Sequence, residues 1–219
     1  MNKREVVIVS GARTAIGDFG GSLKDFSPSD LGAMVAREAL QRAQVNGDEV
    51  GQVVFGNVIH TEPVDMYISR VVALKSGVSE QSTALTVNRL CGSGLQAIVT
   101  AAQGILLGDA DVALAGGADC MSRAPYSTSA MRFGARMGDT GMVDMMVGAL
   151  TDPMHKVHMG VTAENVRRTY AISREAQDAL ALESHRRAAV AIEEGRFKEQ
   201  ILPITLKTRR GEVVFDTDE

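Results

Sequence analysis

No excess of either charge runs through this chain of 219 residues, in which charged side chains make up 23% and the formal net charge is only -4. A polyelectrolyte partner leaves a larger imprint than that, so nucleic acid is not expected as a ligand. Long apolar runs are missing too. The early run Val6 to Ser10 is shorter than a signal-peptide core, and nothing approaches the length of a membrane span, so neither a secretory leader nor membrane attachment is expected. Cysteine is scarce. Cys91 and Cys120 are the only two, and a chain with 45% hydrophobic residues builds a core without a disulfide. A reducing, cytoplasmic setting follows. There is no low-complexity linker and no short-period repeat. Gly116-Gly117 lacks the third glycine and following helix of a dinucleotide fingerprint. His155 and His158 lie three apart without cysteine or carboxylate partners at ligand spacing, so no metal site is expected.

What is present reads as alternating strands and helices, an α/β pattern with a mixed, mostly parallel sheet. The β-branched run Arg4 to Ser10 predicts a buried strand, and the glycine-rich stretch Gly11 to Gly21 a loop. Ser27 as cap and Pro28 as first helical residue start a helix whose apolar spacing lasts until Asn46-Gly47. Val53 to Ile59 predicts a strand, Tyr67 to Lys75 a helix closed by Gly77, and Ala84 to Leu90 another strand. After Cys91-Gly92-Ser93-Gly94, an apolar helix runs from about Leu95 to Gly108, and Asp111 to Ala115 returns as a strand. Periodicity then fades. Most of the eleven methionines fall between Met121 and Met159, which marks an inserted loop region. Thr162 is the expected cap of a helix over 163–170, and Ser173 of a long helix to Glu194. Ile201 to Leu206 and Val213 to Phe215 predict a strand pair turning at Arg209-Arg210-Gly211. The expected division is a first α/β domain over 1–120, then a loop or insertion domain with the start of a return segment over 121–219.

The chemistry concentrates at Cys91. A strand-to-helix junction exposes a side chain at the end of a sheet and offers unpaired amide N–H groups that favour a thiolate. The glycines at 92 and 94 let a carbonyl approach the backbone, where the Cys91 amide can donate to a developing oxyanion. The residues alone leave a second reading open, a small buried cysteine beside a tight turn.

The string Asn88-Arg89-Leu90-Cys91-Gly92-Ser93-Gly94-Leu95-Gln96-Ala97 resembles the active-site segment of the thiolases. Other strings resemble that family in the expected order: Ser10 to Gly17, Gly56-Asn57-Val58, Ala115 to Ala118 with Met121-Ser122, His158 to Asn165, and Ser173 to Asp178. The resemblance implies a thiolase-like N-terminal half with an inserted loop domain. It implies that Cys91 is the catalytic nucleophile, carrying an acyl group between 3-ketoacyl-CoA and CoA in thiolysis or in the reverse, Claisen-type condensation. Coenzyme A thioesters are then substrates, with no permanently bound cofactor.

It further implies that His158 binds the pantetheine of the substrate, where the residue by itself reads as a cap or surface histidine. Met159 would line the acyl pocket and Leu150 would contact the coenzyme; both otherwise read as core side chains. Cys120 reads as a packing thiol. Arg132, Arg136 and Lys156 read as solvated charges or as contacts to coenzyme A phosphates. A loop near residues 123–143 would serve tetramerisation, so a homo-oligomer, dimer or tetramer, or a complementing C-terminal half is the expected partner. The family's second half supplies its bases on a Gly-His-Pro and a Cys-x-Gly segment. None of His60, His155, His158 or His185 precedes proline, and neither Cys91 nor Cys120 stands in a Cys-x-Gly segment. The chain alone is therefore expected to be incomplete, inactive and open on an apolar face, with a catalytically silent CoA-binding or assembly module as the alternative.

Overall fold

The Ser27 hydroxyl accepts the Asp30 amide at 3.1 Å and Pro28 follows as the first residue of α1 (Pro28–Ala43), as the capping pattern predicts. The helix stops earlier than Asn46-Gly47, because Gln44 adopts a left-handed conformation with φ of 55°. Next come β1 (Gln52–Gly56), α2 (Ile68–Ser76), β2 (Thr83–Val87), α3 (Ser93–Leu107) and β3 (Ala113–Gly117). The computed structural model describes residues 4–209 and 211–219.

The three strands form one parallel sheet in the order β2-β1-β3, with Val54 opposite both Leu85 and Ala115. Parallel neighbours need crossovers, and α2 and α3 supply them on opposite faces. Alternation along β1 sorts its side chains between those faces. Val53 and Phe55 pack with Ala36 of α1 and with Ile68, Val72 and Ala73 of α2, while Val54 packs with Ala97 and Ala101 of α3. Central position and two covered faces explain why β1 is apolar from Val53 to Phe55 without a break. Burying side chains such as Phe55 and Ile68 stabilises by roughly 1.5–3 kcal/mol each.

The run Arg4 to Ser10 corrects the reading of the sequence. It joins no ladder among the described residues, and Val7, Ile8 and Val9 are 66%, 79% and 69% exposed. A β-branched run becomes a strand only where an edge pairs with it, and here it borders instead a cavity of about 850 Å³ shared with α1, α3 and β3. A second correction concerns length. Leu90–Leu107 has the size and apolar composition of a membrane span. Its helical part is only the 15 residues of α3, about 22 Å against a bilayer core of about 30 Å, and α3 lays Ala97 and Ala101 on the sheet.

The chain divides into two units, one reaching Pro125 and resuming at Gln200–Glu219, the other spanning Tyr126–Glu199. The first unit therefore extends past residue 120 and takes back the last residues of the chain. Within it Arg13 bonds to the Gln200 carbonyl and grips both carboxylate oxygens of Asp218 at 2.7 and 2.9 Å. The second unit holds β4 (Tyr126–Ser127), β5 (Val143–Asp144), α4 (Met145–Ala149), α5 (Met159–Thr169) and α6 (Arg174–Glu193). Ser173 caps α6 as expected, accepting the Ala176 amide. The strand pair is β6 (Ile204–Thr208) and β7 (Gly211–Phe215), antiparallel, with Arg210 of the expected turn outside the described residues.

Candidate active site

Strand β2 ends at Val87 and α3 begins at Ser93, so Asn88 to Gly92 form the elbow between them. Cys91 lies in this elbow, one residue before the cap Gly92, and is exposed; the reading of a small buried cysteine is not what the fold presents. The elbow turns sharply because Leu90 takes a left-handed φ of 50°. For a leucine this costs on the order of 1 kcal/mol and persists only when neighbouring bonds hold it. Those bonds are local. The Leu90 amide donates to the Asn88 Oδ1 at 3.0 Å, and the Arg89 amide to the Ser93 Oγ at 2.9 Å. The Ser93 hydroxyl donates in turn to the Leu90 carbonyl at 2.7 Å, and the Ser93 amide reaches the same oxygen at 2.9 Å.

Behind the elbow, α3 rests on the ends of two strands. A Cβ added to Gly56 would stand 2.8 Å from the Cβ of Ser93 and 2.9 Å from its carbonyl carbon, and one on Gly117 would meet the Gly56 carbonyl at 3.2 Å. Glycine at 56 is thus what lets the start of α3 lie directly against β1. The segments leaving β1 and β3 are tied together as well. Asp119 accepts the amides of Val58 and Ile59 at 3.0 and 2.9 Å and the Asn57 side chain at 3.1 Å.

The other expected site residues belong to the second unit, which brings three of them together. The Met159 amide donates to the Leu150 carbonyl at 2.9 Å, and His158 bridges to Thr151. The helix starts earlier than predicted, and its cap is His158 in place of Thr162: the His158 Nδ1 accepts the Gly160 amide at 3.1 Å. His158 by itself reads as a cap or surface residue, and the fold makes it the cap, whereas the Thr162 hydroxyl, the commoner capping group, lies inside the helix. With Nδ1 an acceptor, the neutral ring carries its proton on Nε2, which is left as a donor. Met159 is 42% exposed and no core side chain. Arg132, Arg136 and Lys156 are all exposed.

Cys120 is buried, its Sγ 3.6 Å from the Leu23 carbonyl, and burial pushes its thiol up from the usual range. Among the described residues, no group of three or more His, Cys, Asp or Glu gathers closely enough to hold a metal ion. Ser93 and Asn88 stand in the sequence string but their backbone role was not read from it. An asparagine two residues before a leucine and a serine at the first helical position were the available signals.

Comparison with known proteins gives a consistent answer. A family model described as thiolase, N-terminal domain, matches residues 6–219. The beta-ketothiolase BktB of Cupriavidus necator is 69% identical over 216 residues, covering 99% of this chain and 55% of that protein. The mitochondrial 3-ketoacyl-CoA thiolase of Rattus norvegicus is 43% identical over 217 residues, again 99% of this chain and 55% of that one. The crystal structure of the Bacillus anthracis acetyl-CoA acetyltransferase superposes with a TM-score of 0.91 at 43% identity, covering 97% of this chain and 54% of the other. Human mitochondrial 3-ketoacyl-CoA thiolase gives 0.93 at 40% identity, covering 96% and 54%. The chain spans about half the length of the curated relatives it matches.

Proposed function

Because the chain belongs to the thiolase family, matching its N-terminal domain, we propose that it carries the nucleophile for acyl transfer between 3-ketoacyl-CoA and CoA, and that this nucleophile is Cys91. The observation that carries the reading is the exposure of Cys91 on a braced strand-to-helix elbow. As a thiolate, the Cys91 sulfur attacks the 3-keto carbon of the thioester. An S–C bond forms, and once the tetrahedral adduct collapses the bond between carbons 2 and 3 breaks. The electron pair leaves with the acetyl-CoA fragment as its enolate, which takes up a proton. Coenzyme A, deprotonated, then attacks the acyl-cysteine carbonyl and carries the acyl group away, returning the Cys91 thiolate. The Cys91 amide donates to the oxyanion of each tetrahedral adduct. In the opposite direction Cys91 takes an acetyl group from one acetyl-CoA and a second acetyl-CoA, as its enolate, attacks it.

His158, with Nε2 as a free donor, holds the pantetheine arm, and Met159 and Leu150 line the path of the acyl-CoA. Their grouping around the start of α5 supports this. A homo-oligomer is supported by Phe133 and Met137, which the second unit leaves 91% and 96% exposed. Two free cysteines fit a reducing, cytoplasmic setting. The second reading is a catalytically silent CoA-binding or assembly module. Incubation with acetyl-CoA and intact mass analysis separates the two. An acetyl adduct that disappears in Cys91→Ala supports acyl transfer. CoA binding with no adduct, with or without a complementing C-terminal half, leaves only the module.

A further inference from the structure

The hydroxyl of Ser93 is bonded on both sides of the elbow, and its position has a consequence for the peptide that enters Cys91. It accepts the Arg89 amide and donates to the Leu90 carbonyl, which also receives the Ser93 amide. Ser93 is 5% exposed and lies so close to β1 that a Cβ added at Gly56 would stand 2.8 Å from its own Cβ. The Leu90 carbonyl and the Cys91 N–H belong to one planar trans peptide, so they point in opposite directions. Holding the carbonyl toward the start of α3 therefore turns the Cys91 amide away from the helix. It is also left out of the elbow's own hydrogen bonds.

Resting on the assignment of Cys91 as nucleophile, we infer that Ser93 is a positioning residue for acyl transfer: its hydroxyl locks Leu90 in the left-handed conformation and so fixes the direction of the Cys91 amide toward the reacting oxygen. Asn88 assists from the other side by holding the Leu90 amide. The locked conformation at Leu90 is the two-state element, because a leucine released from these bonds relaxes to negative φ and takes the peptide with it.

The test compares wild type, Ser93→Ala and the double variant Ser93→Ala/Leu90→Gly in the polypeptide as the cell makes it. Ser93→Ala lowers the rate constant of acyl transfer by roughly tenfold to a hundredfold with KM nearly unchanged, since donor placement matters in the transition state. Adding Leu90→Gly restores the greater part of the loss, because glycine takes positive φ without a brace. A bracing role confined to folding predicts the reverse: Leu90, 57% exposed, gives up little packing, and the added glycine only loosens the chain further. Unchanged kinetics in Ser93→Ala, or a further loss in the double variant, overturns the inference. If Ser93→Ala does not fold, Asn88→Ala, at an exposed position, replaces it with the same expected split and the same rescue. If wild type forms no acyl adduct, the assignment of Cys91 fails first. The elbow is then read by iodoacetamide alkylation of Cys91, where equal rates in all three proteins refute it and a Ser93→Ala change reversed by Leu90→Gly sustains it.

Discussion

Replacing Gly56 with alanine strikes the point where the sheet supports the elbow. The added Cβ would sit 2.8 Å from the Ser93 Cβ, 2.9 Å from its carbonyl carbon and 3.0 Å from its carbonyl oxygen. Two of these three atoms are backbone in the first turn of α3, so no side-chain rotation relieves the contact. Bringing 2.8 Å to the 3.4 Å at which ordinary contact begins requires the start of α3 to move off β1 by about 0.6 Å. An overpacked contact of this kind costs about 1–3 kcal/mol, read as a lower denaturation midpoint at unchanged slope. The same movement carries Ser93 and therefore the Cys91 peptide. Misplacement approaching 1 Å lowers acyl transfer by roughly tenfold to a hundredfold. Gly94→Ala is the control, since its Cβ meets no heavy atom within 4 Å and alanine is the better helix former by about 1 kcal/mol, so stability holds or rises. Should Gly56→Ala match wild type in both midpoint and acylation rate, the close approach of α3 to β1 is not what holds the elbow. A fall in midpoint with no change in acylation would break the link between packing and chemistry.

His158→Ala removes the cap of α5 and should cost about 1 kcal/mol of helix stability, whereas His158→Asn keeps an acceptor for the Gly160 amide; circular dichroism checks this. If His158 also binds the substrate, His158→Asn keeps the helix and still raises KM, and an unchanged KM removes it from the site. The Arg13 guanidinium beside Asp218 holds that carboxyl below its ordinary value, with the Ile16 amide helping. A lowered folded value means the stabilisation is fully present above the unfolded value of about 3.9 and is lost as pH falls through the folded one. Asp218→Asn should therefore be less stable than wild type at neutral pH, with the gap closing in acid; a constant gap in pH-dependent denaturation counts against the pair. In the 219-residue chain the amides of 5–10, which pair with no strand among the described residues, should exchange with solvent far faster than those of Val53, Val54 and Phe55, and protection of both alike contradicts the exposed run.

Much of the fold was legible because its signals are local. Ser27 and Ser173 each cap by a side-chain oxygen three residues from its donor, and Gly108 ends α3 with φ of 89°; none of this needs a distant partner. The run Arg4 to Ser10 misled for the opposite reason. Valine and isoleucine prefer extended backbone, but only a neighbouring edge makes that backbone a strand, and sequence pattern names the preference without the neighbour. His158 and Thr162 both read as caps, and only the fold shows that the ring nitrogen at 158 takes the amide that starts the helix. At Cys91 the string of residues points to a candidate nucleophile, yet not to how the turn is held. That depends on Leu90 accepting a conformation leucine avoids, and on Gly56, 37 positions after which Ser93 returns to occupy the space its missing side chain leaves. A strained residue is hidden from propensity because propensity argues against it; its brace is legible only once the serine, the asparagine and the glycine are seen to converge on one peptide. The sequence string and that convergence therefore carry different information, the first about which sulfur is the candidate nucleophile, the second about what holds its peptide.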